Sequence, residues 1–248
     1  MNDNYTQKIN IGARILDSAR GNLYLAMRFM DIALCAFAYK PDEGRQMAGT
    51  DGNVIYYCPD YVMDRYEAGR GYADRLYLHM TLHCIYRHIF RISNRKVRLW
   101  NLACDIAVEH VIDGLPYGCV RMRIPAVRDL CYRKISEYTS ILNADLIYKY
   151  LENNPMDEDT LKAWENEFLV DDHTYWYRED KNSRSNMKNE QKWDDISRKM
   201  QTSMETIEKG IGHDDKNLYD SIQIENRKRY DSVSYTHLRA HETCADLV

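Results

Sequence analysis

Two histidines four residues apart, His79 and His83, stand in the stretch HMTLHCIYRH, residues 79–88. Residues at that spacing on an α-helix are turned by about 40° and separated by about 6 Å along the axis, so both imidazoles can face one divalent metal ion. A hydrolytic zinc centre takes three protein ligands and keeps one position for water, so a third ligand must come from elsewhere. Asp105, in LWNLACDIAVEH (residues 99–110), is the best-placed carboxylate, because a helix there can pack against the first. Glu109, one turn beyond Asp105, suits a supporting carboxylate, an alternate ligand or a general base. His88 lies five residues past His83, roughly 140° around the helix, and can join only if the helix ends or bends before it. Met80 directly follows His79, and a thioether can neither take nor return a proton.

Each of these residues also has a purely structural use. Two helical histidines are more often surface or core polar groups than ligands. Asp105 suits a buried, hydrogen-bonded carboxylate equally well. His88 stands beside Arg87 and close to Arg91, where a solvated side chain is expected. On spacing alone the structural uses are the commoner ones.

The elements that must position these residues are partly legible. Apolar residues at Ile15, Leu23, Leu25, Phe29, Ile32 and Phe37 predict one or two helices over residues 12–39, interrupted near Gly21. Residues 41–52 read as a polar loop with the turn pair Asp51-Gly52. NVIYYCP, rich in β-branched and aromatic residues, predicts a short strand. Leu78, Leu82, Ile85 and Ile89 form one buried stripe on a helix over 72–91. A second helix over 99–113 stops at Gly114 and Pro116. After a loop, a helix follows from about Asn143, a good N-cap, to Glu152. From residue 155 to 232 the chain is highly charged, with scattered apolar anchors at Trp164, Trp176, Trp193 and Ile196. That composition predicts a helical extension or linker without a core of its own.

The 248 residues carry a formal net charge of −4, and a mildly acidic chain is a poor nucleic-acid binder. The basic cluster Arg87, Arg91, Arg95, Lys96 and Arg98 reads as a solvated helix end. No apolar run is long enough to span a bilayer, and the start shows no signal-peptide pattern. Cys35, Cys58, Cys84, Cys104, Cys119 and Cys131 contain no C-x-x-C pair, and several sit in apolar runs such as DIALCAFAY. Reduced, mostly buried thiols in a cytoplasmic protein are expected. The end, VSYTHLRAHETCADLV (233–248), reads in frame as the translation of a sequencing-library adapter. It is expected to be a non-native scar, with the natural chain running on beyond Ser232. The scar carries Arg239 against Glu242 and Asp246, so the remainder nets −3.

Six stretches, in order, resemble one known family. GTDGNVIYYCPDYV resembles its strand and following turn, and LHMTLHCIYRHIFR its H-E-x-x-H-x-x-x-x-H helix. LWNLACDIAVEHVI resembles its W-N-x-A-x-D helix, and LNADLIYKYLEN its closing helix. VDDHTYW and WDDISRKMQTSMETIEKGIG resemble its connecting segment. The family is the metallopeptidase-like domain that precedes a von Willebrand factor A-like domain in many bacterial proteins. The resemblance implies an α+β, zincin-like fold, mainly helical with a small sheet, over residues 1–154, and a linker over 155–232 leading to the A-like domain. It implies His79, His83 and Asp105 as ligands of Zn2+, with His88 a weaker candidate. It also implies a peptide or protein substrate and an AAA-type ATPase partner. The family's glutamate does not carry over, since Met80 stands in its place.

Three readings follow. The first is a metal-binding, catalytically impaired zincin-like domain, which the residues favour. The second is an active peptidase using another base, with Glu109 the nearest candidate. The third is a metal-free scaffold for an ATPase. Nucleic acid and membrane are not expected as partners.

Overall fold

Helix α1 (Asp3–Ala26) forms where Ile15, Ala19 and Leu23 recur one turn apart, and all three are buried together with Leu16. Our computed structural model describes residues 3–91, 94–177, 183–208, 218 and 220–222. The interruption expected at Gly21 is not there: α1 runs through it, since one helical glycine costs only about 1 kcal/mol. The break falls at Met27 instead, followed by a single 3₁₀ turn (Arg28–Met30) and a short α2 (Asp31–Leu34). Leu25 and Ile32, counted in the apolar stripe, are exposed.

Three short strands follow. β1 (Ala38–Pro41) pairs in parallel with β3 (Val54–Tyr57), and β2 (Ala48–Thr50) pairs antiparallel with the other edge of β3. Only β3 carries the β-branched and aromatic run that sequence can reveal. The stretch read as a polar loop contains β2, whose Ala-Gly-Thr has no strand signature and is strand by virtue of its partner.

Helix α3 (Pro59–Ala68) starts on a proline already fixed at helical φ. Gly69, at φ +150°, makes the sharp joint to α4 (Arg70–Ile85). Every residue of α4 from Ala73 to Ile85 is buried. The helix is therefore enclosed on all sides, by α1, α3, α9 and α5 (Val97–Asp113), rather than through one stripe. It ends at Ile85, short of the expected 91, because Arg87 turns left-handed at φ 61°. Such a conformation costs a non-glycine residue roughly 1–2 kcal/mol. A buried ion pair between Arg87 Nε and Asp194, with a hydrogen bond from Nη1 to the Ile85 carbonyl at 3.1 Å, holds it.

The loop expected after α5 contains α6 (Ala126–Tyr138), which buries only Arg128, Cys131, Tyr132 and Ile135 and so shows little apolar periodicity. α7 (Ala144–Asn153) begins where expected, and the Asn143 side chain accepts the Leu146 N–H at 3.0 Å. In the charged stretch, α8 (Glu158–Phe168), a 3₁₀ turn (His173–Tyr177) and α9 (Ser183–Glu208) supply Trp164, Phe168, Trp176, Trp193 and Met200 to the one shared core. Burying such a side chain stabilises by roughly 1.5–3 kcal/mol, which is how a few anchors hold a polar segment.

The basic cluster is not simply solvated. Arg87 is buried against Asp194, Arg91 and Arg95 pair with Asp145, and Arg98 pairs with Glu158 and Glu165. Cys35 is exposed despite its apolar run, while Cys84, Cys104 and Cys131 are buried, and all six described cysteines are free. Among the described residues no helix is long and apolar enough to cross a membrane. The stretch 233–248 lies outside the described residues.

Asp74 on α4 is buried, with both carboxylate oxygens accepting from Asn22 Nδ2 at 3.2 Å. Burial outweighs that bond and pushes its carboxyl up to about 6. The folded state thus keeps a proton that the unfolded chain has already lost, and stability falls as pH rises from about 4 to about 6. We predict that Asp74→Asn removes this fall, gaining on the order of 1–3 kcal/mol at pH 7 and little at pH 4. Denaturant melts at both pH values check it, and an equal effect at both would contradict it.

Candidate metal centre

The enclosure of α4 decides the environment of its polar residues. His79 and His83 are both fully buried, one turn apart. Asp105 reaches them from α5, and Asp171 and His173 come from the segment that opens the last 3₁₀ turn. One ligand atom from each of these five residues lies within 4.8 Å of every other. The Nε2 atoms of His79 and His83 are 2.8 Å apart, and each is 3.3 Å from Asp105 Oδ1. His173 Nε2 stands 3.1 Å from the same oxygen and 2.9 Å from Asp171 Oδ1. Asp171 Oδ1 is 3.4 Å from His79 Nε2 and 3.9 Å from His83 Nε2.

The outward nitrogens of the two helical histidines are also fixed. His79 Nδ1 lies 2.8 Å from Glu109 Oε1, so this N–H donates to the carboxylate and leaves Nε2 directed at the cluster. The other oxygen of Glu109 accepts from Arg75 and Arg128, which also bind Asp113, and the Tyr132 hydroxyl donates to Asp113 at 2.8 Å. His83 Nδ1 lies 2.9 Å from His88 Nδ1. The left-handed turn at Arg87 is what folds His88 back to this place. His88 is thus buried, not solvated, and supports His83 from behind instead of joining the five. Its carbonyl accepts the Trp100 indole N–H at 3.4 Å.

The charge state follows from this crowding. Burial works against a charge on every member. For Asp105 and Asp171 the charge on His173 outweighs it and holds both well below the usual carboxylate range. Burial likewise opposes protonation of His173, but the two carboxylates push it up to about 9. His79 is raised well above the ordinary value by hydrogen bonds to Asp105, Asp171 and Glu109, against burial. Burial and then the charge on His79 push His83 down to about 4. Without metal, two protons balance two carboxylates, and a divalent cation carries the same charge as the two protons it would displace.

The residues fit a metal on a second ground. Both oxygens of Asp171 and the Nε2 of His173 are buried, and beyond the ion-pair contacts inside the cluster none of the three has a hydrogen-bond partner. Such atoms cost free energy unless something satisfies them. Three imidazoles and two carboxylates form a nitrogen and oxygen set suited to zinc, and equally to manganese or iron.

The model of a family described as "Putative metallopeptidase domain" matches residues 13–240. The chain belongs to this metallopeptidase-domain family. No curated protein matches the chain, and no solved structure does. Of the residues singled out from sequence, the structure brings His79, His83 and Asp105 of this family member together. It places Glu109 and His88 behind the two histidines, and encloses Met80 completely in the core. Sequence reasoning missed Asp171 and His173. Their signal was the D-x-H spacing inside VDDHTYW, beside an aromatic that stacks on His173 at 3.6 Å.

Glu109 is the one carboxylate between His79 and two buried arginines. We expect Glu109→Gln to weaken metal binding about 10–100-fold. It should also destabilise the fold, by less than the roughly 3–5 kcal/mol of a fully broken buried pair, because Arg75 and Arg128 lose one of their two shared carboxylates and keep Asp113. Competition titration with a chromophoric chelator and a denaturant melt read the two effects, and unchanged values in both would contradict this role.

Proposed function

We propose that this domain is a metal-holding, zincin-like member of its family in which peptide hydrolysis is impaired. The observation that carries the proposal is the convergence of five buried donor residues on one point, three of their atoms with no hydrogen-bond partner outside the cluster. His79, His83 and Asp105 are the ligands common to the sequence pattern and the geometry, and Zn2+ is the first candidate ion.

A divalent metal bound there would supply Lewis acidity and an acidified water. The chain must then supply a group to take the proton, and it offers none in place. Met80 stands where the family's motif has glutamate, and it is an apolar core residue. Glu109 is no substitute. One oxygen receives the His79 N–H and the other two arginines, so both already accept, and burial notwithstanding these partners hold it ionised and committed. Losing a general base typically costs ~10²–10⁴ in rate.

The test is metal content of the full chain purified without chelator, by elemental mass spectrometry, beside a His79→Ala/His83→Ala double variant. One divalent metal per chain, lost in the variant, is expected. The metal-loaded protein should cleave an unstructured peptide mixture no faster than its metal-depleted form. A folded wild-type chain that takes up no metal, even after incubation with Zn2+, overturns the metal reading. Metal-dependent cleavage overturns the impairment alone.

A further inference from the structure

A hydrolase with His79, His83 and Asp105 as ligands would keep a coordination position open for water. Here that neighbourhood is filled by the chain itself. Asp171 Oδ1 and His173 Nε2 lie among the other donor atoms, and they and Asp171 Oδ2 are buried with no hydrogen-bond partner outside the cluster. The segment carrying them is built into place. The Asp172 N–H donates to the Ala48 carbonyl of β2 at 2.7 Å, and the Tyr61 hydroxyl donates to the Val170 carbonyl at 2.6 Å. Thr174 N–H donates to Asp172 Oδ1 at 2.9 Å. Tyr175 stacks on Tyr56 at 4.6 Å and donates to Asp42 at 3.0 Å. Trp176 stacks on His173, and the Tyr177 hydroxyl donates to Asn101 Oδ1. Gly49 permits the approach, since a Cβ there would meet the Asp172 carbonyl oxygen at 2.3 Å and the Tyr175 ring at 2.6 Å. A groove of about 350 Å³ runs along Asp105, Asp171, His173, Asn101 and Tyr177 on the outer side.

We propose that Asp171–Tyr177 is a ligating cap: Asp171 and His173 take the coordination positions that a metal hydrolase leaves open, so that the ion has five protein ligands and is closed to a peptide carbonyl. The proposal rests on the metal-holding reading above and goes beyond it, to coordination number and access. Ion and cap fasten each other, because an ion takes up the Asp171 and His173 atoms that otherwise meet only ion-pair contacts inside the cluster. The cap also favours ions that accept five or six nitrogen and oxygen ligands over one restricted to four.

Co2+ serves as the probe, since four-coordinate cobalt absorbs visible light much more strongly than five- or six-coordinate cobalt. The full chain is titrated with Co2+, then with azide as a small competing ligand. The wild type should give the weak absorption of the higher coordination number and no response to azide. Asp171→Ala/His173→Ala should bind Co2+ at least tenfold more weakly, absorb more strongly and respond to azide. Gly49→Ala, which keeps all five ligand side chains but displaces the backbone that carries Asp171 and His173, should shift in the same direction. Circular dichroism of each variant establishes that it is folded. Strong, azide-responsive absorption in the wild type overturns the cap. So does wild-type affinity in both variants while His79→Ala/His83→Ala abolishes binding, and in either case the metal reading stands. No Co2+ or Zn2+ bound by the folded wild type overturns both.

Discussion

Five polar donors buried at one point cannot be left to themselves. Asp105 and Asp171 bring two negative charges into a region from which water is excluded, and His79, His83 and His173 turn ring nitrogens toward them. Repulsion between the carboxylates and the cost of burying them must be met by cations at short range. Protons on His79 and His173 can do this, and a divalent ion would do it with better use of the lone pairs. Several pieces of chain meet here: α4, α5, the turn after Arg87 behind His83, and the segment beside β2. The packing of this half of the molecule therefore depends on how that charge is balanced.

Behind the cluster the same problem recurs and is solved within the chain. Glu109 fixes His79 and is itself held by Arg75 and Arg128, whose remaining donors reach Asp113, the Val120 carbonyl and Glu167. Every charge in this layer meets an opposite one. Such networks give little net stability against an apolar core, but they fix orientation. The ring plane of His79 is set by a carboxylate that cannot move without uncovering two arginines. Rigidity of this kind suits a site that must hold a ligand set for one ion, and it keeps both oxygens of Glu109 engaged.

How much of this could be read from the sequence follows from where the information sits. His79 and His83 are legible because helix geometry converts a spacing of four into a shared face. Asp105 is legible because its helix had to pack on theirs. Asp171 and His173 were not, because nothing local says that a segment so distant in the chain lies against Ala48 and Gly49 in β2. Strands β1 and β2 are set by pairing with β3 and have almost no signature of their own. Helix α6 hid behind a polar surface and a buried arginine. The fate of His88 turned on a left-handed Arg87, a conformation that the tertiary ion pair with Asp194 helps to hold. Met80 is the opposite case: a thioether moves no proton wherever the fold puts it, and its complete burial agrees with a packing role.

Calorimetric unfolding of the full chain with and without metal tests the central claim most directly. Protein freed of metal by a chelator and dialysis is compared with the same protein at one hundred times the dissociation constant of Zn2+ or Mn2+. If the five donors form a metal centre, the loaded form should gain about 2.7 kcal/mol, with a clearly higher Tm, and His79→Ala/His83→Ala should abolish the gain. Identical unfolding curves with and without metal, in a chain that folds normally, would contradict it and leave the cluster balanced by protons alone.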